Sequence, residues 1–529
     1  MITRLPSKCL LLTLTIAGWA PAWSQVSVLT GQYDATRASA NLSETFLTTS
    51  NVNTTQFGLL FTLPVDDYMY AQPLYVPQVQ IAGVAHNVLY AATINNSVYA
   101  FDADSAGLPL WQGNLGPASV QNNSHDLPSC GILATPVIDL SSDTMYVIAQ
   151  TEQSSKQSFS LHALDITSGA EKFGGPVTIK AIVKGTGSQS HSGVITFQAA
   201  SELQRPALLL FNGTVYIGFA RQNPEGTYPF HGWVLGYNAA TLKQSYVLNT
   251  TPNGTEGGVW MSGRGPVADS QGFTFMTGNG DVGNSDIGES FARIGKSHSL
   301  LGLFTDPNWS TLNANDFDLG AGGPLLIPGT SLLLGGGKTG TVYLLSITSA
   351  GALQLVQTLQ ATPGCPSSND ASCAQIHSPA YWNRIGANPP LLYLWATNDV
   401  LKAFSFSGGL LSTSPVAQNT VLASNPGGGA LAISANGSTA GTGILWATMS
   451  TTNASNTSVP GILRAFDASN VATELWNSNM NAADNLGNLA KFVVPVVVNG
   501  KVYMSTFSNQ LAVYGLKSAS VRVAKAVHR

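Results

Sequence analysis

An internal repeat constrains the fold of this chain more than any other feature. A short apolar segment, a small or acidic residue and a turn recur at intervals of roughly 50 to 70 residues. Clear copies are VYAFDADSAGLPLW, LHALDITSGAEKF and LRAFDASNVATELW. Across the eight copies the residue before the turn is Asp102, Asp165, Asn238, Gly295, Ser346, Ser405, Asp467 and Gly515. A pattern that recurs as a whole indicates one supersecondary unit per copy.

A second pair of apolar segments precedes each copy, which gives four short strands per repeat. The pair in RPALLLFNGTVYIGFA turns at Asn212-Gly213, and the pair in VPVVVNGKVYMST turns at Asn499-Gly500. Asn-Gly favours the tight turns of β-hairpins. Four-stranded units at this period predict an all-β fold, an eight-bladed β-propeller, with seven blades as the alternative. Helical periodicity is lacking, which argues against a helix bundle or an α/β fold.

The two ends of the repeat region predict how the ring closes. The last copy stops at Leu516 without an outer strand, whereas residues 58–63 form a strand pattern ahead of the first complete repeat. We expect these segments to form one mixed blade, because closure removes both exposed sheet edges. A single propeller domain is expected over 25–516, followed by a basic tail at 517–529.

Residues that recur in every blade are expected to serve the architecture. Asp102, Asp165 and Asp467 stand just before the turn, where a carboxylate can accept backbone N–H bonds. Trp111 and Trp476 recur in the outer strands and are expected to pack between neighbouring blades. Functional residues should therefore lie where a blade departs from the repeat.

The first 24 residues have the pattern of a secretory signal peptide. Arg4 and Lys8 flank a short apolar run at 9–17, and Ala22-Trp23-Ser24 offers small residues at the cleavage positions. This run is too short to span a bilayer, and no later segment is long and apolar enough. The pattern predicts a periplasmic or secreted protein without a membrane span, and we expect a monomer.

Composition excludes several classes of function. Only 9% of residues are charged and the net charge is -4, without a basic stripe, so a nucleic-acid partner is not expected. The chain contains neither CxxCH nor paired CxxC or HExxH motifs, which argues against covalent haem and against zinc. Cys365 and Cys373 share a short polar loop in which a loop-closing disulfide is plausible, leaving Cys130 either buried or free.

The repeats between 255 and 355 depart most from the pattern. Asn279 follows a strand in TGNGD, Asp316 and Asp318 stand in NDFD, and Lys338 stands in GGGKTGTVY. Two carboxylates and an amide oxygen suit a hard cation such as Ca²⁺, and a lysine could orient a carbonyl-rich ligand. Alternatively, the aspartates cap turns. The glycines around Lys338 match GxGxxG, but a strand follows, so a hairpin turn is favoured over a dinucleotide site.

The AFDADSAGLPLW and ALDITSGAEKF repeats resemble the Trp-docking repeats of pyrroloquinoline quinone (PQQ) propellers, the quinoprotein alcohol dehydrogenase-like superfamily. The resemblance covers almost all of the chain after the signal segment. It implies that Asn279 and Asp316 bind Ca²⁺, that Asp316 is also the catalytic base, and that Lys338 contacts the quinone. It further implies Trp260 as the floor of the quinone site and Glu225 as a third metal ligand.

Two departures from that family stand in the sequence. Its dehydrogenases carry two adjacent cysteines beside the quinone, and this chain has no such pair. Glu225, in NPEGTYPFHGW, is displaced from the position of the family's glutamate ligand. The superfamily also contains propellers without a cofactor.

Three hypotheses therefore remain at the level of sequence. The favoured one is an extracytoplasmic scaffold that binds a protein or a small-molecule ligand at the propeller face. The alternative is a PQQ- and Ca²⁺-dependent dehydrogenase of an alcohol or sugar, with Asp316 as its base. A hydrolase or glycan-binding propeller is the third, although no residue spacing singles out its carboxylates.

Overall fold

A computed structural model describes most of the chain. The predicted signal peptide, Glu225, Cys373 and nearly all of the basic tail lie outside the described residues. The described ranges are 26–120, 127–221, 229–365, 374–384, 388–424, 428–455 and 457–517.

Eight antiparallel sheets form the blades of a β-propeller, which confirms the predicted fold class and blade number. Strands are given from the axis outward. Blade 1 contains Leu74–Ile81, Val84–Ala92, Ser97–Asp102 and Trp111–Asn114; blade 2 contains Val137–Asp139, Thr144–Gln153, Lys156–Asp165 and Val177–Thr178; blade 3 contains Leu209–Phe211, Thr214–Arg221, Trp233–Asn238 and Gln244–Asn249; blade 4 contains Val267–Ala268, Gly272–Met276, Ser290–Gly295 and Leu300–Thr305.

The second half of the ring continues this arrangement. Blade 5 contains Leu325–Leu326, Leu332–Gly336, Thr341–Ile347 and Leu353–Gln360; blade 6 contains Ala380–Trp382, Leu391–Leu394, Val400–Ser407 and Ala417–Leu422; blade 7 contains Ala430–Ser434, Ile444–Ser450, Gly461–Asp467 and Glu474–Asn477; blade 8 contains Val496–Val498, Lys501–Ser505, Gln510–Leu516 and Phe57–Pro64.

A few short elements lie outside this pattern. The additional strands are Ala40–Asn41, Ile182–Lys184, Val194–Thr196, Glu202–Leu203 and Leu410–Leu411. One α-helix, Trp309–Asn315, and three 3₁₀ turns, Met261–Gly263, Leu319–Ala321 and Ala482–Asp484, are present among the described residues.

The ring closes as the sequence predicts. The outer strand of blade 8, Phe57–Pro64, pairs antiparallel with Gln510–Leu516 and places Leu63 opposite Leu511. The other strands of this blade come from the end of the chain. Residues 57–64 and 510–516 are thus joined by a hydrogen-bond ladder with one register shift between Leu59 and Phe61, and the ring has no open blade edge at the closure.

The recurring residues have structural roles, as predicted. The Oδ1 atoms of Asp102 and Asp165 accept the backbone N–H groups of Asp104 (2.8 Å) and Thr167 (2.9 Å). Trp111 donates its indole N–H to the carbonyl of Ile166 in the next blade at 2.9 Å. These contacts fix the turn within a blade and the packing between blades.

The hydrophobic core is distributed among the interfaces between blades. One cluster joins blades 2 and 3 through residues such as Phe159 and Trp233, and another joins blades 7 and 8 through Trp446 and Tyr514. Burial of these apolar surfaces provides the main stabilisation of the ring. The axis of the propeller is consequently left to backbone and polar groups.

An N-terminal segment, residues 28–41, runs along the inner strands of all eight blades and is called the collar here. An inner strand pairs on one side only, so the backbone groups of its other edge need another partner. The collar meets the blades in their order around the ring. The contacts are Tyr75 N to Val28 O (3.0 Å), Ile138 N to Leu29 O (2.8 Å), Thr30 Oγ1 to Leu208 O (3.2 Å), Ala268 N to Ala35 O (2.8 Å), Leu326 N to Thr36 O (2.9 Å), Tyr381 N to Ala38 O (2.9 Å), Ile433 N to Ser39 O (2.7 Å) and Asn41 Nδ2 to Val497 O (3.0 Å).

Two buried arginines reinforce the collar. Arg37 is fully buried and donates to the carbonyls of Pro266 (3.1 Å) and Leu208 (3.1 Å). Arg264 donates to the carbonyls of Pro379 and Arg37. Burial lowers the pKa of Arg37 to about 10, which still leaves it charged at neutral pH. Backbone carbonyls rather than carboxylates therefore solvate both charges.

Replacement of Arg37 by Met should destabilise the fold severely, because several buried carbonyls would lose their donor. We expect Arg37→Met to lower the free energy of unfolding by at least ~3 kcal/mol, measured by urea denaturation at pH 7. Arg384→Met is the matched control, since the side chain of this partly exposed arginine donates, among the described residues, only to the carbonyl of Pro389. Equal urea midpoints for the two variants would contradict the role assigned to Arg37.

Candidate functional site

The candidate site lies at one end of the propeller axis, in loops of blades 4 and 5. Asn279 follows the strand Gly272–Met276, and Lys338 follows Leu332–Gly336. Asp316 lies in the connection between these two blades, directly after the helix Trp309–Asn315. Corresponding turns of neighbouring blades face the same end of the axis, and this topology brings three separate chain segments together.

Asn279, Asp316 and Lys338 form one hydrogen-bonded cluster together with Asp318. The ammonium of Lys338 lies 2.8 Å from Asp316 Oδ1 and 2.7 Å from Asp318 Oδ2. Asn279 donates its side-chain amide to Asp316 Oδ1 at 2.7 Å and its backbone N–H to Asp318 Oδ1 at 2.9 Å. The three residues singled out from sequence therefore converge, and Asp318 joins them.

The local backbone explains how two nearby aspartates face one lysine. Asp316 ends the helix in a left-handed conformation (φ 53°, ψ 49°), which Asp adopts more readily than most residues. Phe317 then hydrogen-bonds back to Leu312 at 3.0 Å, closing the turn. This helix was not predicted from the sequence, because seven residues are too few to show an amphipathic pattern.

Charge compensation holds the cluster together. Burial is the largest influence on the pKa of Asp318 and by itself would raise it, but the attraction of Lys338 and the hydrogen bonds from Lys338 and Asn279 together lower the pKa. Burial likewise opposes the charge of Lys338, yet the two aspartates raise its pKa above the usual value. Lys338 and Asp318 are consequently ionised at neutral pH.

Glu289 lies behind this cluster and carries a different charge state. Its side chain is fully buried, and Oε2 accepts the backbone N–H of Leu319 at 2.7 Å, whereas Oε1 has no hydrogen-bond partner. Burial, followed by repulsion from Asp318, raises the pKa of Glu289 well above its usual value. Both effects favour the protonated, neutral form of Glu289. Glu289 was not predicted from the sequence, because the segment Gly288-Glu289-Ser290 has no feature that distinguishes it from other carboxylates.

An open pocket adjoins the cluster and is partly lined by Trp260, whose role as the floor of a quinone site stays a prediction. Its lining combines acidic, amide, basic and aromatic side chains. The lining residues are Arg221, Phe230, Glu256, Trp260, Asn279, Asn313, Asp316 and Asp318. The guanidinium carbon of Arg205 lies 5.5 Å from the centre of a ring of Trp260. Sequence analysis did not select Arg205 or Arg221, because no repeat departure marks either one.

Several predictions are only partly addressed by the described residues. Glu225 falls in the undescribed range 222–228, so its role as a metal ligand stays a prediction. Cys365 is disulfide-bonded, and its expected partner Cys373 lies outside the described residues. Cys130 is buried, in agreement with one of the two expectations for it.

The donor set can be compared with what a hard cation requires. Among the described ranges, no group of three or more His, Cys, Asp or Glu side chains could hold a metal ion. A cation would instead need an amide oxygen beside Asp316 and Asp318. The Oδ1 atom of Asn279 is buried and accepts no hydrogen bond, which leaves it available for this purpose. The residues thus fit a hard oxygen-ligated cation that shares the two carboxylates with Lys338.

Comparisons with known proteins bear on the fold. No family model and no curated protein matches the sequence. A quinohemoprotein alcohol dehydrogenase from Pseudomonas putida HK5 superimposes with a TM-score of 0.54 at 14% identity, covering 93% of this chain and 80% of the other. A europium-containing methanol dehydrogenase superimposes with a TM-score of 0.55 at 12% identity, covering 93% of this chain and 98% of the other. The chain has a quinoprotein dehydrogenase-like fold. At these identities the likeness is one of fold alone.

The described residues contain no helix that is long and apolar enough to cross a membrane.

Removing the lysine should reveal the charge arrangement through the pH dependence of stability. Without Lys338, Asp316 and Asp318 lose their counter-ion, so the folded-state pKa of at least one rises above its unfolded value. Lys338→Met should therefore cost ~3 kcal/mol or more at pH 7, and part of this loss should be recovered by pH 5, as the carboxyl takes up a proton. Urea denaturation at several pH values measures both effects.

Lys501→Met provides the matched control for this measurement. Lys501 contacts Asp104 at 2.7 Å, but Asp104 is largely exposed, so this pair should contribute only ~0–1 kcal/mol. A loss for Lys338→Met that equals the control, or that does not change between pH 7 and pH 5, would rule out the proposed charge compensation.

Proposed function

We propose that this protein is a PQQ-dependent dehydrogenase that oxidises the hydroxyl group of an alcohol or sugar. The convergence of Asn279, Asp316 and Lys338 at one end of the propeller axis carries the proposal. The three groups come from separate blade loops and have the chemistry that the resemblance to PQQ propellers implies. The quinoprotein dehydrogenase-like fold agrees with this assignment.

Asp316 is the proposed base. A carboxylate at a pocket wall can accept the proton of a substrate hydroxyl if its orientation is fixed. Both Asn279 and Lys338 donate to the Oδ1 atom of Asp316, and these two bonds determine the plane of the carboxylate. Reorientation during proton transfer is thereby limited, which lowers the cost of reaching the reactive geometry.

Lys338 would stabilise negative charge that develops on oxygen in the pocket, since its ammonium is already held in place by two aspartates. Burial raises the pKa of Glu289 and favours its neutral form, which limits the negative charge behind the two aspartates. When bound, the quinone would accept the two electrons released from the substrate carbon. Trp260 offers an aromatic surface for a planar ring, and Asn279, Asp316 and Asp318 would hold a cation such as Ca²⁺.

The location proposed for this activity is outside the cytoplasm. This proposal rests on the signal-peptide pattern of the first 24 residues: the basic residues Arg4 and Lys8, the short apolar run at 9–17 and the small residues of the Ala22-Trp23-Ser24 segment.

A non-catalytic scaffold that binds a protein or small molecule is the second candidate. Lys338 already neutralises the two carboxylates that a cation would need. The sequence also lacks the adjacent cysteine pair of the family's dehydrogenases. In this case the pocket would bind its ligand without turnover, and Asp316 would have only a structural role.

Titration of the purified protein with PQQ, with and without Ca²⁺, separates the two candidates. Binding is followed by quinone absorbance and tryptophan quenching, in the original protein and in Asp316→Ala and Lys338→Ala. We expect saturable, calcium-dependent binding that weakens at least ~10-fold in both variants, because each loses a charged contact. Reduction of a dye by added alcohols then tests for turnover, which Asp316→Ala should abolish.

Asp104→Ala and Lys501→Ala are matched controls, because this exposed ion pair lies outside the pocket residues. Both should bind PQQ as the original protein does. If the original protein fails to bind PQQ at any calcium concentration, the dehydrogenase proposal is wrong. Binding without dye reduction for any alcohol or sugar would instead support the scaffold.

A further inference from the structure

Two cavities lie at the end of the propeller axis opposite the candidate site. They are lined in part by turns that join the first and second strands of blades 5 to 8, at Pro328, Asn383, Asn436 and Asn499. Asn279 and Lys338 instead follow the second strands of their blades. Successive strands of an antiparallel blade alternate in direction, so the two kinds of turn face opposite ends of the axis. The cavities are therefore distinct from the pocket beside Asp316.

The two cavities adjoin each other and are together called the basal cleft here. Their volumes are about 330 Å³ and 320 Å³. Both are lined by the same part of the N-terminal segment, through Val26, Asn41, Leu42 and Ser43. Ligand pockets in proteins range upward from roughly 300 Å³, so each cavity has room for a small molecule. The shared wall makes the cleft suitable for a ligand of two linked rings.

Tyr381 lines the basal cleft and carries a hydroxyl group without a partner. The residue is only 2% exposed, and its ring packs edge-on against Phe406 with ring centres 6.1 Å apart. Its hydroxyl makes no hydrogen bond with any described residue. Tyr33 of the same cleft differs, since its hydroxyl donates to the carbonyl of Pro495 (3.0 Å) and accepts the backbone N–H of Val497 (2.7 Å). A hydroxyl in so buried a residue normally has a partner, so that of Tyr381 is available to a ligand.

Other polar side chains of the cleft also have hydrogen-bonding groups to spare. Asp34 is exposed, and its Oδ1 atom accepts the backbone N–H (2.8 Å) and the hydroxyl (2.6 Å) of Thr36. Its Oδ2 atom accepts no hydrogen bond from described residues. The side chains of Asn383 and Ser43 line the cleft and likewise make no hydrogen bond within the described ranges. Amide and hydroxyl groups both donate and accept, whereas the carboxylate accepts only.

The charge of the lining limits the class of ligand. Among the described residues that line the cleft, Asp34 and Glu44 are acidic and none is basic. Glu44 is buried and already accepts the backbone N–H groups of Phe46 (2.7 Å) and Gly500 (3.0 Å). An anionic ligand would meet only repulsion here. The side chain of Phe46 is 56% exposed and offers an apolar surface at the edge of the cleft.

We propose that the basal cleft binds a neutral saccharide. The hydroxyl groups of a sugar both donate and accept, as the unpaired groups of the cleft require. Asp34 accepts hydrogen bonds from sugar hydroxyls, Tyr381 and Asn383 bind further hydroxyls, and Phe46 covers the apolar face of a sugar ring. The inference is independent of the proposed function, because it concerns the other end of the axis.

Calorimetric titration of the purified protein with cellobiose and with maltose, in the absence of PQQ, tests this inference. We expect saturable binding of at least one of these neutral disaccharides. Tyr381→Phe should weaken it roughly 3- to 10-fold, as loss of one neutral hydrogen bond does. The same variant should leave the melting temperature unchanged, because the hydroxyl has no partner in the free protein. A purely structural role for Tyr381 would give the opposite pair of results.

Asp34→Asn provides a second variant, which keeps an oxygen for Thr36 but removes the charge. It should weaken disaccharide binding roughly 10-fold or more, because hydrogen bonds to a carboxylate are stronger than those to an amide. Tyr246→Phe is the matched control, since Tyr246 lies in the outer strand of blade 3 and outside both cavities. This control should bind the disaccharide as the original protein does.

Three results would overturn the inference. The first is that neither disaccharide binds at millimolar concentration. The second is binding that Asp316→Ala abolishes while Tyr381→Phe and Asp34→Asn leave it unchanged, because the sugar would then occupy the pocket at the other end of the axis. The third is that choline binds in place of the disaccharides and loses affinity in Asp34→Asn, which would indicate a cationic ligand. None of these measurements involves PQQ, so this inference and the proposed function fail separately.

Discussion

The edges of the inner strands are the constraint on which the rest of this structure depends. Each blade leaves one edge without a sheet neighbour at the propeller axis, and buried backbone groups must find partners there. The collar at 28–41 supplies them for all eight blades in sequence order. Arg264 connects the collar to the 3₁₀ turn that follows Trp260. The backbone beneath the candidate site is thereby fixed from inside the ring.

Within the site, one lysine forms ion pairs with two aspartates in a mostly buried place. Carboxylates as close as those of Asp316 and Asp318 repel each other, and one would take up a proton without a cation between them. Lys338 contributes that cation, while burial favours the protonated form of the neighbouring Glu289. Acidic groups in the same cluster thus have different charge states, as acid–base and cation-binding sites require.

The fold could be predicted from the sequence because each copy of the repeat indicates one four-stranded blade. Asn212-Gly213 and Asn499-Gly500 mark hairpins in two of the repeats, and the unpaired strand pattern at 58–63, with no outer strand after Leu516, indicated how the ring closes. The site was partly predictable: Asn279, Asp316 and Lys338 each interrupt the repeat. Glu289 was not predictable, because its importance comes from tertiary surroundings. The collar was not predictable either. It has no sequence periodicity, because its contacting residues meet different blades.

The position of the collar in the chain has a consequence for folding. Its eight docking positions extend from Tyr75 to Val497, so they exist together only after the last blade has formed. The strand Phe57–Pro64 likewise forms its native pairing only once Gln510–Leu516 is available. Contacts between such distant segments slow folding, because the intervening loop must first be closed. The collar precedes every blade in the sequence, yet it is therefore among the last segments to reach its native partners. In an incomplete ring, the collar lacks some of these partners.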